Sequence, residues 1–284
     1  MDRLSERECV KVVCSALGVS RSSYYAHRAR GGVIDRSRME LRARVSSIFR
    51  RSRNSAGSRT ICSVLLRDGI KIGRYKARSL MREAGLVSKQ PGKRLYRRAM
   101  KEHFDIPNRL NRRFDAAQPN QVWCGDITYI WVSGKWRYVA AVLDLFARRV
   151  VGWAMSSTAN AELTIKALDM AYQHRGRPSN VMFHSDQGLQ YVSRLFRQRL
   201  VSHGLSQSMS RRGNCWDNAP MERILRSLKT EWIPEMGYAS VHEAHRDIGF
   251  YLMNHYNHWR PHQFNAGLPP AKAEKEPKLL SKIS

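Results

Sequence analysis

Apolar residues fall into two textures along this chain of 284 residues, and the change comes near residue 120. Before it, they recur three and four positions apart, as on the buried stripe of a helix. Cys9, Val10, Val13, Cys14 and Leu17 hold that spacing and predict a helix over 6–17, which Gly18 ends. Ser20 then suits the N-cap of a second helix over 21–30. Three more helices are predicted over 37–53, 58–67 and 74–84, with Ile61, Val64, Leu65, Leu80 and Met81 as their core and Gly69 and Gly85 at their ends. Beyond 120 the pattern turns β-branched, aromatic and alternating. Strands are predicted over 121–132, 135–145 and 149–155, and their short connections make them an antiparallel meander. An amphipathic helix over 161–174, a strand over 181–186, a helix over 191–203 and a short strand over 206–210 follow. Helices over 221–232 and 241–259 complete the series.

This order predicts an α/β fold of the ribonuclease-H-like type, with a mixed five-stranded sheet preceded by small all-α helix-turn-helix modules. The expected divisions are a helix-turn-helix-like segment over 1–35, a second helical module over 36–88 and a basic linker over 89–119. A catalytic core over 120–265 and a C-terminal tail over 266–284 follow. The linker has little periodicity and many basic residues, so it is expected to be loose alone and ordered on a partner.

Charge narrows the partner. The chain holds 50 Lys and Arg against 23 Asp and Glu, a formal net charge of +27, which attracts polyanions such as DNA through their phosphates. The excess is uneven: residues 1–120 hold 29 basic against 10 acidic residues, the remainder 21 against 13. Arg50, Arg51, Arg53, Arg59, Arg74 and Arg78 crowd the exposed faces of the second module, and Arg21 opens the second helix of the first, so these faces are expected to meet phosphates. The five cysteines (Cys9, Cys14, Cys62, Cys124, Cys215) are scattered without a Cys-x-x-Cys pair, which predicts reduced thiols. No stretch is apolar for the ~20 residues of a membrane span, and Met1-Asp-Arg-Leu-Ser-Glu lacks the apolar region of a signal peptide. A cytoplasmic protein, nucleoid-associated when bound to DNA and without a membrane partner, is expected.

Three acids stand out against this basic background. Asp126 interrupts the apolar strand 121–132, where an unpaired buried charge is costly. Asp186 closes the strand 181–186, and Glu222 opens the helix over 221–232. Two strand carboxylates and one helix carboxylate are a donor set for divalent ions in phosphoryl transfer. Each acid alone has an ordinary reading, as a turn former or as a first-turn acid favoured by the helix dipole. Asp144 is the rival strand carboxylate and is expected to pair with Arg148 or Arg149.

The strings around these acids are Trp123-Cys-Gly-Asp-Ile-Thr-Tyr129, Phe183-His-Ser-Asp-Gln-Gly188 and Arg212-Gly-Asn-Cys-Trp-Asp-Asn-Ala-Pro-Met-Glu222. With Arg226-Ser-Leu-Lys-Thr-Glu231 and Tyr256-Asn-His-Trp-Arg-Pro-His262, the chain resembles the OrfB-type DDE transposases of the IS-three group of bacterial insertion sequences. That family has a retroviral-integrase-like catalytic core. The 35 residues between Asp186 and Glu222 match its D-35-E spacing. The small departure is Leu189, where the family has a small polar residue.

The resemblance implies DNA strand cleavage and transfer by in-line transesterification on two Mg2+ ions, with Mn2+ able to substitute, held by Asp126, Asp186 and Glu222. It implies element ends and target DNA as substrates, a homo-oligomer on DNA, and an upstream OrfA protein or a frameshift fusion with it. Lys229, two helical turns beyond Glu222, is expected to touch terminal DNA, as is Arg226. Arg211, Arg212 and Asn214, in the loop before Glu222, are expected to order around DNA, and Asn218 to cap the helix. His184 is expected to pack or support rather than ligate. For Tyr256, Asn257, Arg260, Pro261 and His262, a fold-stabilising role and DNA contact both stay open. Two other functional readings stay open too: a DNA-binding protein without catalysis, and a ribonuclease-H-like nuclease acting on RNA–DNA hybrids.

Overall fold

Strand β1 (Val122–Val132) runs through the middle of a five-stranded sheet ordered β3-β2-β1-β4-β5. The computed structural model describes residues 8–30, 35–89, 106–211 and 214–276. Arg212, the middle of the basic linker and the ends of the chain lie outside the described residues. The chain divides into two units, residues 1–44 and 45–284.

In the first unit, α1 (Val10–Ala16) and α2 (Arg21–Arg30) form the predicted hairpin, with Val13, Cys14 and Tyr24 buried. Ser20 caps α2 by accepting from the Ser23 N–H (3.1 Å). Helix α3 (Arg36–Arg51) runs from this unit into the next.

In the second unit, the end of α3 packs with α4 (Ser58–Arg67) and α5 (Arg74–Glu83) around Val45, Phe49, Ile61, Leu65, Ala77 and Leu80. This small core is held against the C-terminal helices by arginines expected to meet phosphates. Arg53 stacks on Trp232 at 4.0 Å and pairs with Asp247 at 2.6 Å, and Arg51 lies 5.0 Å over the Trp259 ring. A guanidinium stacks on an aromatic face as readily as it pairs with phosphate, so charge alone does not assign such a residue.

Strands β1, β2 (Lys135–Asp144) and β3 (Arg149–Ser156) form the meander, while β4 (Met182–Ser185) and β5 (Ser206–Met209) pair in parallel. β4 joins β1 only from Val122 to Cys124. One face of the sheet packs on α6 (Ala161–His174), α7 (Leu189–Val192) and α8 (Arg194–Ser202) through Trp123, Val151, Leu168, Phe183 and Phe196. The other packs through Cys124, Leu143, Met221, Leu228 and Tyr251 on α9 (Ala219–Ser227), α10 (Val241–Gly249) and the segments beyond each.

Several predicted elements differ in physically telling ways. The helix expected over 191–203 breaks at Ser193, whose hydroxyl accepts from the Phe196 N–H and starts α8 afresh. The two C-terminal helices do not stay regular. α9 widens into a π-helical turn over Leu228–Trp232, and α10 into another over Phe250–Trp259. Bulky rings gather there: Trp232, Tyr251, His255 and Trp259 contact one another in sequence, and a wider turn spaces them.

The end of the linker is packed rather than loose. Leu110 is buried, and the Arg109 and Leu110 N–H groups donate to the Ser208 hydroxyl. The expected tail holds α11 (Pro270–Lys275), with Ala271 and Ala273 buried. Its Glu274 accepts from Arg149 (2.7 Å) and Arg175 (2.8 Å).

Asp144 pairs with neither Arg148 nor Arg149. It is fully buried, accepts the Asn120 and Phe146 N–H groups, and meets Arg175 at 3.4 Å. Arg148 instead donates to the Leu145 and Phe114 carbonyls. The partner follows the last residue of α6, and no local reading of the β2–β3 turn could supply it.

The Tyr256–His262 segment has a structural role. Asn257, buried, donates to the Val150 carbonyl (2.8 Å) and accepts the Val150 N–H (3.0 Å), pairing the edge strand as a neighbouring strand would. Arg260 binds Glu231 (2.6 Å), and the His262 ring accepts from the Phe264 N–H.

Candidate active site

Because β4 leaves β1 after Cys124 and Tyr238 pairs with that edge only near Val132, the β4-side edge of β1 opens between them, and Asp126 stands at that opening. Gly125 is required just before it. A Cβ there would lie 2.5 Å from the Phe183 ring and 3.3 Å from the Tyr191 hydroxyl, so the wall of the recess passes where a side chain would be. Asp126 Oδ1 accepts the Ile127 N–H at 2.7 Å. Asp186 follows the end of β4, and its Oδ1 accepts the Gly188 N–H at 3.0 Å, an Asx turn that fixes the carboxylate at the strand end. Glu222 sits in the first turn of α9, half-buried.

The three acids feel one another. Burial raises the Asp126 carboxyl well above the usual carboxylate range, and Asp186 and Glu222 push it further up; the Ile127 N–H and Lys229 oppose. Burial also raises Asp186, with Glu222 adding to it and the Gly188 N–H opposing. Tyr191, fully enclosed beside both aspartates, is raised well above its ordinary value by burial and by their charge. This is a surplus of negative charge on carboxylates that also meet solvent, Asp186 being exposed and Asp126 and Glu222 half-buried, and a bound cation would relieve it. Among the described residues no three potential ligands gather around a single point. An ion here would complete its shell with water and substrate oxygens, as Mg2+ prefers. The all-oxygen donor set fits that ion.

Lys229 is the cation of this recess. Its ammonium lies 3.8 Å over the Tyr129 ring, and burial lowers its pKa while Asp126 raises it. The structure thus brings Lys229 to the acids, as its spacing from Glu222 predicts. Arg226, one turn from Glu222, is exposed.

Asn218 does not cap the helix. It occupies the N-cap position with no capping hydrogen bond, and its Nδ2 donates instead to the Gly125 carbonyl at 3.1 Å. The loop before Glu222 is thereby tied to the residue before Asp126. Its Oδ1 is buried without a hydrogen-bond partner among the described residues, an acceptor that suits a water of a cation's shell.

Sequence reasoning missed Asp217. It is fully buried and accepts from Arg211 (N–H 3.0 Å, Nε 3.1 Å), Arg112 (2.7 Å) and Asn108 (2.8 Å). Burial alone would raise its carboxyl, but these hydrogen bonds override that and hold it far below the usual range. Arg211, expected on DNA, is thus engaged with Asp217, and Asn214 accepts from Arg112 at 2.9 Å. The signal in the sequence was an acid inside an arginine-rich loop. His184 is buried between the Ser208 (2.9 Å) and Ser210 (3.1 Å) hydroxyls, and burial lowers it to about 4; it packs and does not reach the acids.

The other predicted DNA contacts lie elsewhere. Arg74 and Arg78 line a groove of about 700 Å3 with Arg59, Tyr75 and Arg82 on the helical module. Arg21 is exposed at the start of α2 in the first unit.

Residues 116–215 match an integrase core domain family, 203–270 a second integrase core domain family, and 36–94 an HTH-like domain family. The chain is 34% identical over 273 residues to the transposase InsF of insertion sequence IS3A from Escherichia coli K12, covering 94% of each chain. To InsO of insertion sequence element IS911B from the same strain it is 48% identical over 164 residues, covering 58% of this chain and 83% of that protein. The magnesium complex of the HTLV-2 integrase catalytic core superposes with a TM-score of 0.41 at 17% identity, covering 55% of this chain and 97% of that one.

Proposed function

The chain belongs to the insertion-sequence transposases with an integrase core, and we propose that Asp126, Asp186 and Glu222 are the residues with which it cuts and joins DNA. The observation that carries this reading is that β1, the end of β4 and the start of α9 bring Asp126, Asp186 and Glu222 within electrostatic reach of one another at an open strand edge.

Asp126, Asp186 and Glu222 would hold two Mg2+ ions, for which Mn2+ would substitute, and the bound ions would supply a lowered pKa for the attacking hydroxyl and neutralisation of the phosphate. The chain's own groups do the rest. Asn218 fixes the Gly125 carbonyl and with it the backbone that presents Asp126. Asp217 ties the loop before Glu222 to Asn108 and Arg112 of the linker, so the helix start is positioned by the segment that also carries basic charge. Lys229, beside Asp126, offers a cation to the phosphate next to the one that reacts. Arg226, Asn214 and Arg212 would extend that phosphate contact along the strand.

The helical module over 36–88 would grip duplex DNA through the groove lined by Arg74 and Arg78, and 1–35, with Arg21, would add a further contact. The chain would work as an oligomer on paired element ends, together with an upstream OrfA protein or fused to it.

The test is strand transfer of a labelled, precleaved element-end oligonucleotide into plasmid DNA with Mg2+ or Mn2+. Products from the parent that vanish in Asp186→Asn, with DNA binding retained, are expected. Equal product from both would remove Asp186 from the reaction. Product that appears only when the OrfA frame is fused upstream would support the partner reading.

A further inference from the structure

Where β1 and β2 run past the helices that cover their face, the sheet leaves aromatic rings bare. Tyr129, Trp131 and Trp136 are 54%, 40% and 52% exposed, high values for side chains that ordinarily bury most of their surface. They are one cluster. Trp131 and Trp136 are cross-strand partners with ring centroids 4.9 Å apart, and Tyr129 meets Trp136 at 4.9 Å. Both contacts are edge-to-face (70° and 87°), which leaves outward faces on the Trp131 and Trp136 rings for a third partner, while Lys229 covers one face of Tyr129.

The platform is rigid. β1 is paired with β2 from Trp123 to Val132, and on its other edge the Tyr238 N–H donates to the Trp131 carbonyl (3.0 Å) while the Ser133 N–H donates to the Tyr238 carbonyl (2.8 Å). Gly237 permits that closeness, since a Cβ there would lie 2.3 Å from the Trp131 carbonyl oxygen. Rings on so fixed a backbone lose little freedom when something stacks on them.

Its surroundings select the occupant. Lys229 lies over the Tyr129 ring and is attracted to Asp126, so the platform begins where the acids end. Lys135, exposed, follows at the hairpin turn. At about 3.3 Å per residue, Tyr129 and Trp131 lie roughly 10 and 17 Å along β1 from Asp126, on the opposite face by strand alternation, and Lys229, over Tyr129 and drawn to Asp126, spans the two. Aromatic faces flanked by ammonium groups are the chemistry that binds unpaired nucleotides, with the bases on the rings and the phosphates on the cations.

We propose that Tyr129, Trp131 and Trp136 form a stacking platform for unpaired bases of the DNA strand adjoining the reacting phosphate. The proposal rests on the assignment of Asp126, Asp186 and Glu222 as the reactive site only for its position; the stacking is testable without catalysis.

The experiment measures binding of the full chain to a fluorescent oligothymidine and to a duplex of equal length by anisotropy. It compares the parent with Trp131→Ser/Trp136→Ser and with the ring-keeping Trp131→Phe/Trp136→Phe. Thermal melting and sedimentation are recorded for each. The serine pair is expected to bind oligothymidine about 5- to 100-fold more weakly, with duplex affinity and melting unchanged, and the phenylalanine pair to stay near the parent. An iodouracil in the oligonucleotide is expected to crosslink to the 129–136 hairpin. Unchanged oligothymidine affinity in the serine pair overturns the proposal, and so does an equal loss on duplex. A shift from a larger to a smaller species in sedimentation, with oligothymidine binding intact, would show that the rings bury against a second copy of the chain and would also overturn it. Failure of the catalytic assignment would show separately, as strand transfer surviving in Asp186→Asn while the oligothymidine results stand.

Discussion

Replacing Asn257 with alanine tests whether a single side chain completes the sheet. β3 is an edge strand, and Asn257 gives the Val150 N–H an acceptor at 3.0 Å and the Val150 carbonyl a donor at 2.8 Å, all of it buried. Alanine strands both backbone groups away from water. Each costs about 1–3 kcal/mol, so the variant should lose roughly 2–6 kcal/mol. With a urea m-value of about 3 kcal/mol/M for a unit of this size, the midpoint should fall by about 0.7–2 M with little change in slope. All seven tryptophans lie between Trp123 and Trp259, so tryptophan fluorescence reads this unit and no other. Asn257→Asp sharpens the test. At pH 7 a carboxylate would face the Val150 carbonyl, and the loss should exceed that of alanine; toward pH 5 a protonated carboxyl can donate, and part of the stability should return. A midpoint shift below about 0.3 M for alanine, or an aspartate variant as stable as the parent at pH 7, would refute the strand-pairing role.

Three further outcomes are expected. Burial lowers both His255 and His262 to about 3, with Arg260 acting in the same direction. Both rings are neutral in the folded chain while the unfolded chain protonates them near pH 6.5, so their contribution is full above that pH and is lost as pH falls toward 3. The slope is up to about 1.4 kcal/mol per pH unit for each ring. Urea midpoints between pH 7 and 4.5 should show it, and a His255→Phe slope equal to the parent's would contradict it. Gly152→Ala would place a Cβ 2.3 Å from the Ala167 carbonyl oxygen and 2.6 Å from the Ala171 nitrogen, backbone of α6 that cannot swing aside. It should cost about 1–3 kcal/mol or more and lower the Tm, so an unchanged melt would show that α6 can slide. Asn218→Ala releases the Gly125 carbonyl and should slow strand transfer about 3- to 10-fold with DNA affinity retained. Full activity would mean that the backbone before Asp126 needs no such hold.

Much was legible from local pattern. Period-two alternation and apolar runs marked β1, β2 and β3, helical spacing marked α4, α5 and α6, and each boundary fell within a few residues because the strands are buried by cores on both faces and the helices bury one stripe. The three acids were legible because a carboxylate inside an apolar strand, or at its end, violates the local rule and needs a reason. Partnerships across the fold were not. That Asp144 meets Arg175, that Arg53 stacks on Trp232 and pairs with Asp247, that Asn257 stands in for a missing strand, and that Asp217 gathers Asn108, Arg112 and Arg211 are all long-range choices.

The sequence by itself therefore determined the element types, the basic character and the acids, since propensity, periodicity and charge act over a few residues. The tertiary structure alone decided which arginines are spent on the fold, where the helices widen into π turns around stacked rings, and which aromatics stay bare beside Lys229. Those outcomes depend on which surfaces meet, and a side chain such as a guanidinium or an indole satisfies several environments about equally well until packing removes all but one.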